Sequence, residues 1–260
     1  MTDVTDATDA TDAVRAAGAE WFPATAETSL GGDLHAVRST PYGLRLLIGD
    51  VRGQGAAAGA GARAVLDAFG TVAAEAPTLE TVVDALEAAV RRHASTRTDE
   101  EGAEDFVTAV VAEIGPDGRT LRLVNRGHPA PLLLRPDAVD VLAPAESGPP
   151  LGLRDLSPPG AWSLTVPFPP DATLLLLTDG TTEARDADGA FYDPVSRLCG
   201  RVGGDPEAVV RTLRREVRAH VARRLGDRPA DDMALLALRA THPEPAPASA
   251  PAPAPAPASG

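Results

Sequence analysis

LRLLIGDVRGQGAAAGA, residues 44–60, decides how the rest of the chain is read. An apolar run ends in a carboxylate, Asp50, and three of the next nine residues are glycine. The apolar run reads as a strand and the Ala-rich stretch behind it as the start of a helix. A strand, an acid and a glycine loop opening a helix have two chemical readings. GQGAAAG has the spacing of a dinucleotide loop, but Asp50 would then meet the pyrophosphate with like charge. The segment about 20 residues further on, GTVAAEAPTL, reads as helix and supplies no second strand with a ribose-binding acid. The other reading is a cation site. Gly49, Gly53 and Gly55 would let the backbone turn tightly and approach a ligand, and Val51 could offer its main-chain carbonyl beside Asp50.

Working outward, GGDLHAVRST and YGLRLLIGD read as two strands about a turn at Pro41. Residues 54–75 and 78–95 carry apolar positions three and four apart and read as helices. FVTAVVAEIG and RTLRLVNRG flank PDG as a hairpin, LLLRP and VDVLAP suggest another pair, and ATLLLLTDG is a buried strand ending in an acid. Residues 205–225 read as a helix and MALLALRA as the last strand. Strands in adjacent groups with helices in pairs predict an α+β layered domain rather than a doubly wound sheet.

Asp50 and Asp179 follow apolar runs, and the pair Asp231–Asp232 precedes one. Sheet strands hold their ends at fixed edges, so these acids can converge. Converging carboxylates repel one another and take up protons unless a cation joins them. All-oxygen donors with little His and no Cys nearby point to Mg²⁺ or Mn²⁺ rather than Zn²⁺.

Bulk properties narrow the field. The formal charge of −13 disfavours nucleic acid as a partner. The small basic clusters RRH, near residue 91, and RRLGDR, near 223, read as solvated helix faces. All 24 basic residues are arginine. Phosphate loops, kinases and Schiff-base enzymes that depend on lysine are therefore excluded in their usual form. The single cysteine, Cys199, reads as structural. No apolar run approaches the roughly 20 residues that span a bilayer, and no secretory signal is visible, so the expected location is cytoplasmic. The Thr-Asp-Ala repeat over residues 1–14 and the Pro/Ala-rich residues 241–260 read as disordered tails around a domain at 15–240.

GGD (31–33), IGDVRGQG (48–55), FVT (106–108), NRGHPAPLLL (125–134), GPPLGL (148–153), LLLLTDGTTEARDADG (174–189) and DDMALLALR (231–239) follow one another across nearly the whole domain. In this order they resemble bacterial SpoIIE-type serine/threonine phosphatases of the metal-dependent PPM superfamily, the protein phosphatase 2C-like enzymes. The resemblance implies a four-layer αββα sandwich, two antiparallel sheets flanked by helices, with two Mn²⁺ or Mg²⁺ ions at one end. It implies that Asp50 bridges both ions and that the Val51 carbonyl is a further ligand. Asp179 and Asp231 would complete one ion, and Asp33 would sit beside the other, directly or through water. Asp232 would either back Asp231 or share its work. Asp50, Asp179 and Asp231 would thus carry catalysis by a metal-activated water.

The resemblance also implies a phosphorylated protein substrate, of the STAS-domain anti-anti-sigma type. Several positions depart from the family pattern. Arg52 stands where eukaryotic relatives keep a His. Arginine cannot donate a proton at neutral pH, so Arg52 is expected to attract the phosphate. GGDLHA replaces GGDxYD, putting His35 and Ala36 in place of Tyr and Asp. Ala234 replaces the Thr of DDxT, and NRGH replaces NAGH, whose His128 is expected to order its loop. These departures motivate an alternative, a pseudophosphatase that binds a phosphoprotein without turnover.

Overall fold

The computed structural model describes residues 14–22, 32–96, 106–146, 148–156, 163–200, 205–225 and 232–240. Asp231, Gly31, residues 1–13 of the tail expected at 1–14, the tail expected at 241–260, and the side chains of the RRLGDR cluster lie outside the described residues.

Residues with few turn formers and many β-branched or leucine side chains make strands. In chain order these are β1 (Val14–Phe22), β2 (Asp33–Thr40), β3 (Gly43–Val51), β4 (Val107–Ile114), β5 (Thr120–Arg126), β6 (Leu132–Arg135), β7 (Ala138–Val141), β8 (Ser163–Pro167), β9 (Thr173–Leu177) and β10 (Met233–Ala240). The helices are α1 (Gly55–Val72), α2 (Leu79–Ser95), α3 (Asp179–Thr182), α4 (Pro194–Leu198) and α5 (Pro206–Leu225). One sheet has the order β1-β10-β9-β6-β7 and the other β2-β3-β4-β5-β8. All the strand pairs within them are antiparallel.

The two-residue period of a strand sorts its side chains between layers. On β3, Leu44, Leu46 and Ile48 enter a core between the sheets with Val110, Ala112, Leu174, Leu176, Leu236 and Leu238. The alternate residues Leu47 and Val51 face the opposite way, joining Val65 and Phe69 of α1 and Val82 and Leu86 of α2. On the other sheet, Leu175, Leu177, Leu235 and Ala237 pack against Val209, Leu213 and Val217 of α5. Three apolar layers between four layers of secondary structure make the αββα sandwich. β3 is buried along almost its whole length because it is covered on both faces, which is why its sequence runs apolar without alternation.

One charged residue breaks that run. Arg45 is fully buried on the helix side of β3. It donates from Nε to Glu113 at 2.8 Å and from Nη1 to the Ala73 and Ala76 carbonyls at 2.8 and 2.6 Å. It therefore satisfies carbonyls left open at the end of α1 while staying paired itself. At the next helix, Thr78 caps α2 by accepting from the Thr81 amide.

Strands β1 and β8 and the short α3 and α4 are not marked by the sequence pattern. β1 begins at Val14, one residue inside the stretch read as a tail, and pairs with β10 at the sheet edge. No described helix is long and apolar enough to cross a membrane.

Candidate metal and phosphate site

The stripe that forms the inter-sheet core changes character at one end. Asp33 pairs with Asp50 across β2 and β3. Asp50 in turn pairs with Thr108 of β4. Asp50 shares a strand face with Ile48, Thr108 with Val110, and Asp232 lies two residues before Ala234 of the inter-sheet core. The same alternation that packs leucine between the sheets delivers carboxylates and hydroxyls where the layers open to water. Asp33, Asp50, Asp179 and Asp232 are all half-buried there.

Thr178 joins the two sheets at this edge. Its hydroxyl donates to Asp33 Oδ2 at 3.0 Å and accepts from the Ala234 amide at 2.8 Å. Asp179 follows as the first residue of α3. The turn into α3 brings Gly180 so near β10 that a Cβ there would lie 1.8 Å from the Asp232 carbonyl oxygen. Only glycine admits this approach, and it carries Asp179 toward Asp232. A Cβ on Gly32 would likewise meet the Val51 carbonyl oxygen at 2.5 Å and Asp50 Oδ1 at 2.6 Å. Both oxygens therefore lie close against the Gly32 backbone at the strand end. Gly53 and Gly55 have φ of +99° and +74°, so the loop turns through them as expected. Gly49 does not belong to that turn. It sits within β3, where the absence of a Cβ lets the Thr108 carbonyl oxygen come close.

The electrostatics follow from this convergence. Burial, then the charges of Asp50, Asp232 and Asp179, push the Asp33 carboxyl up to about 8, while the Thr178 hydrogen bond opposes the rise. Without a cation, Asp33 keeps its proton at neutral pH because it is withdrawn from water and its neighbours are negative. A half-buried set of hard oxygen donors that repel one another fits a divalent, oxygen-preferring cation such as Mg²⁺ or Mn²⁺. Among the described residues, no three acid, His or Cys side chains are drawn together into a metal cage. Asp231, the remaining acid of the expected set, lies outside them.

The surrounding residues divide by function. Arg52 is exposed at the rim, two residues beyond Asp50. Its amide donates to the Phe106 carbonyl at 3.1 Å and its guanidinium lies 5.6 Å from the Phe106 ring centre. His128 is buried and meets Thr108 Oγ1 through Nδ1 at 2.9 Å. Burial lowers its pKa to about 3, so the ring is neutral. Asn125 clamps the loop at His128, donating to its carbonyl and accepting from its amide, each at 2.9 Å. His35 is partly buried on the same strand face as Asp33, and burial lowers its pKa. Arg126 of NRGH points away from this site, into the layer of α2. Sequence reasoning overlooks Thr178, Thr108 and Asn125 as parts of the site. Their signal is positional: each continues an inter-sheet face to the edge where the acids gather.

This arrangement, two antiparallel sheets inside helices with acids at one inter-sheet edge, defines the PP2C-like class of folds. The sequence model of the family described as Stage II sporulation protein E (SpoIIE) matches residues 40–241, and the chain belongs to that family. The matched stretch holds Asp50, Asp179, Asp231 and Asp232, and Asp33 lies just before it. A structure of the RsbU and RsbW domains of Rv1364c from Mycobacterium tuberculosis is similar at 24% identity and a TM-score of 0.66, covering 90% of this chain and 63% of that one. The PP2C phosphatase domain of SpoIIE from Bacillus subtilis, with a fragment of its regulatory domain, is similar at 17% identity and a TM-score of 0.70, covering 90% and 66%. The chain thus spans just under two thirds of each of these. RsbX in complex with magnesium is similar at 15% identity and a TM-score of 0.61, covering 88% of this chain and all of that one. The search of curated proteins gave no match.

Proposed function

We propose that the chain is a metal-dependent protein serine/threonine phosphatase, acting on phosphoserine or phosphothreonine of a regulatory protein. The observation that carries this is the convergence of Asp33, Asp50, Asp179 and Asp232 at one inter-sheet edge in a member of the SpoIIE family. Asp50, Asp179 and Asp231, with the Val51 carbonyl, would hold two Mn²⁺ or Mg²⁺ ions, with Asp33 and Asp232 beside them. When bound, such cations lower the pKa of a water and neutralise phosphate oxygens. The protein's own part is to hold these donors in register, through Thr178 on one sheet and the Asp33–Asp50 pairing on the other. Arg52, exposed beside Asp50, would draw in and orient the phosphate; it cannot supply a proton to the leaving group. Neutral His128 acts through Thr108, holding the β4 end next to Asp50.

The phosphatase domain is assigned to residues 15–240, working in the cytoplasm. A STAS-domain anti-anti-sigma factor is the substrate the family resemblance favours. A second reading, a pseudophosphatase that binds a phosphoprotein without turnover, draws on the departures from the family pattern at His35, Ala36 and Ala234. Hydrolysis of p-nitrophenyl phosphate and a phosphoserine peptide, with EDTA, Mg²⁺ or Mn²⁺, separates the two. The phosphatase reading expects metal-dependent turnover that Asp179→Asn abolishes. Absence of turnover with either metal, in a folded protein that binds Mn²⁺, would favour the second.

A further inference from the structure

Behind the acidic edge, the helix layer holds a charged pair that the proposed chemistry does not use. Arg126, at the end of β5, has no exposed surface, and Glu87, in the middle of α2, has 4%. Arg126 Nη2 donates to Glu87 Oε2 at 2.7 Å. Each partner also grips the same loop. Arg126 donates from Nε to the Pro149 carbonyl at 2.6 Å and from Nη2 to the Pro150 carbonyl at 3.3 Å. The other Glu87 oxygen accepts from the Gly152 amide at 3.0 Å. Between these grips, Leu151 exchanges two backbone hydrogen bonds with Val107, at 2.8 and 3.0 Å. Val107 lies directly between Phe106, under Arg52, and Thr108, opposite Asp50.

Burying two charges costs more than an apolar pair of the same size, so stability alone does not account for such a pair. What it supplies is geometry. The planar guanidinium and the two carboxylate oxygens fix direction as well as distance.

We propose that Glu87 and Arg126 are positioning residues. Together they hold residues 148–152 against α2, and through the Leu151–Val107 bridge they hold the β4 end that carries Phe106 and Thr108 beside Asp50. The effect on turnover rests on the phosphatase reading; the effect on backbone order does not. The test compares full-length wild type, Glu87→Gln, and the double variant Glu87→Leu/Arg126→Met. The double variant replaces the pair by apolar groups of similar size, a change that often leaves stability intact.

Amide hydrogen exchange on the metal-free proteins is read at residues 106–110 and 148–153. Both variants are expected to exchange there about tenfold faster, with α5 unchanged. With Mn²⁺, the double variant is expected to lose about tenfold in kcat on p-nitrophenyl phosphate, with KM within about twofold. A folded double variant with wild-type exchange at both segments overturns the proposal. If the double variant does not fold, the exchange of Glu87→Gln decides alone. Wild type without turnover would remove the phosphatase reading, and exchange would still decide the positioning role.

Discussion

Replacing Asp33 by asparagine should stabilise the metal-free protein and weaken its response to metal. Asparagine is nearly isosteric and keeps an acceptor for the Thr178 hydroxyl, so the link between the sheets survives. It removes a carboxyl raised from 3.8 to about 8 by burial and by Asp50, Asp232 and Asp179. The folded pKa lies above the unfolded one, so between these values the folded state keeps a proton that the unfolded state has lost. The sign follows: stability from this group is greatest at acidic pH and falls as pH rises toward 8. At 1.36 kcal/mol per pH unit, the full displacement sets an upper bound of about 6 kcal/mol. Asp33 is only half-buried, and solvent screening reduces this to about 1–3 kcal/mol.

The assay is urea unfolding of wild type and Asp33→Asn in EDTA across this pH range. The advantage of the variant should grow steadily from about pH 4 to about pH 8. Excess Mg²⁺ at the upper end should reverse the order, because binding to the folded wild type adds stability that the variant gains less of. A difference that stays flat with pH, or an unchanged order in Mg²⁺, would refute the convergence of charge on Asp33.

Other perturbations read separate parts of the account. Gly180→Ala forces α3 from β10, since its Cβ would lie 1.8 Å from the Asp232 carbonyl oxygen. It should cost about 10²-fold in kcat while unfolding stays cooperative, and wild-type kcat would show that the close approach is dispensable. Arg45→Met removes the buried partner of Glu113, leaving it only the exposed Arg122 at 3.6 Å, and should cost about 3–5 kcal/mol in urea unfolding, most of it recovered by adding Glu113→Leu. A single-variant loss below about 1 kcal/mol would mean the pair behaves as an exposed one. His128, with its pKa lowered to about 3, should show no ring titration by NMR near the usual histidine value. A midpoint near 6.5 would mean that water reaches the ring.

The sandwich was legible because its main elements carry strong periodic signals. The apolar run of β3 and the amphipathic α2 could be placed without knowing their partners. β8 gave little signal, because its alternation runs over only five residues, ends in a proline and follows a turn-rich stretch. β1 draws its identity from pairing with β10, a contact remote in sequence. Among the site residues, Asp50 and Asp179 were visible because each follows an apolar run, whereas Asp33 was visible only through the GGD motif of the family resemblance. Thr178 was not, since a threonine beside an acid has many local uses and only the tertiary fold sets it against Asp33, 145 residues away. Arg126 stood out in NRGH, but its partner Glu87 sits in an ordinary helical pattern that gives no hint of burial.

If the acids of the inter-sheet edge bind divalent cations, occupancy of that edge should enable phosphate release. The most direct measurement is a Mn²⁺ titration of metal-free protein. Bound metal and phosphate release from p-nitrophenyl phosphate are followed on the same samples, with Asp50→Asn in parallel. Release should rise with occupancy and saturate near two ions per chain, about the stoichiometry of a two-metal site, and Asp50→Asn should lose binding and release together. Full occupancy without release, or release undiminished in EDTA, would contradict this.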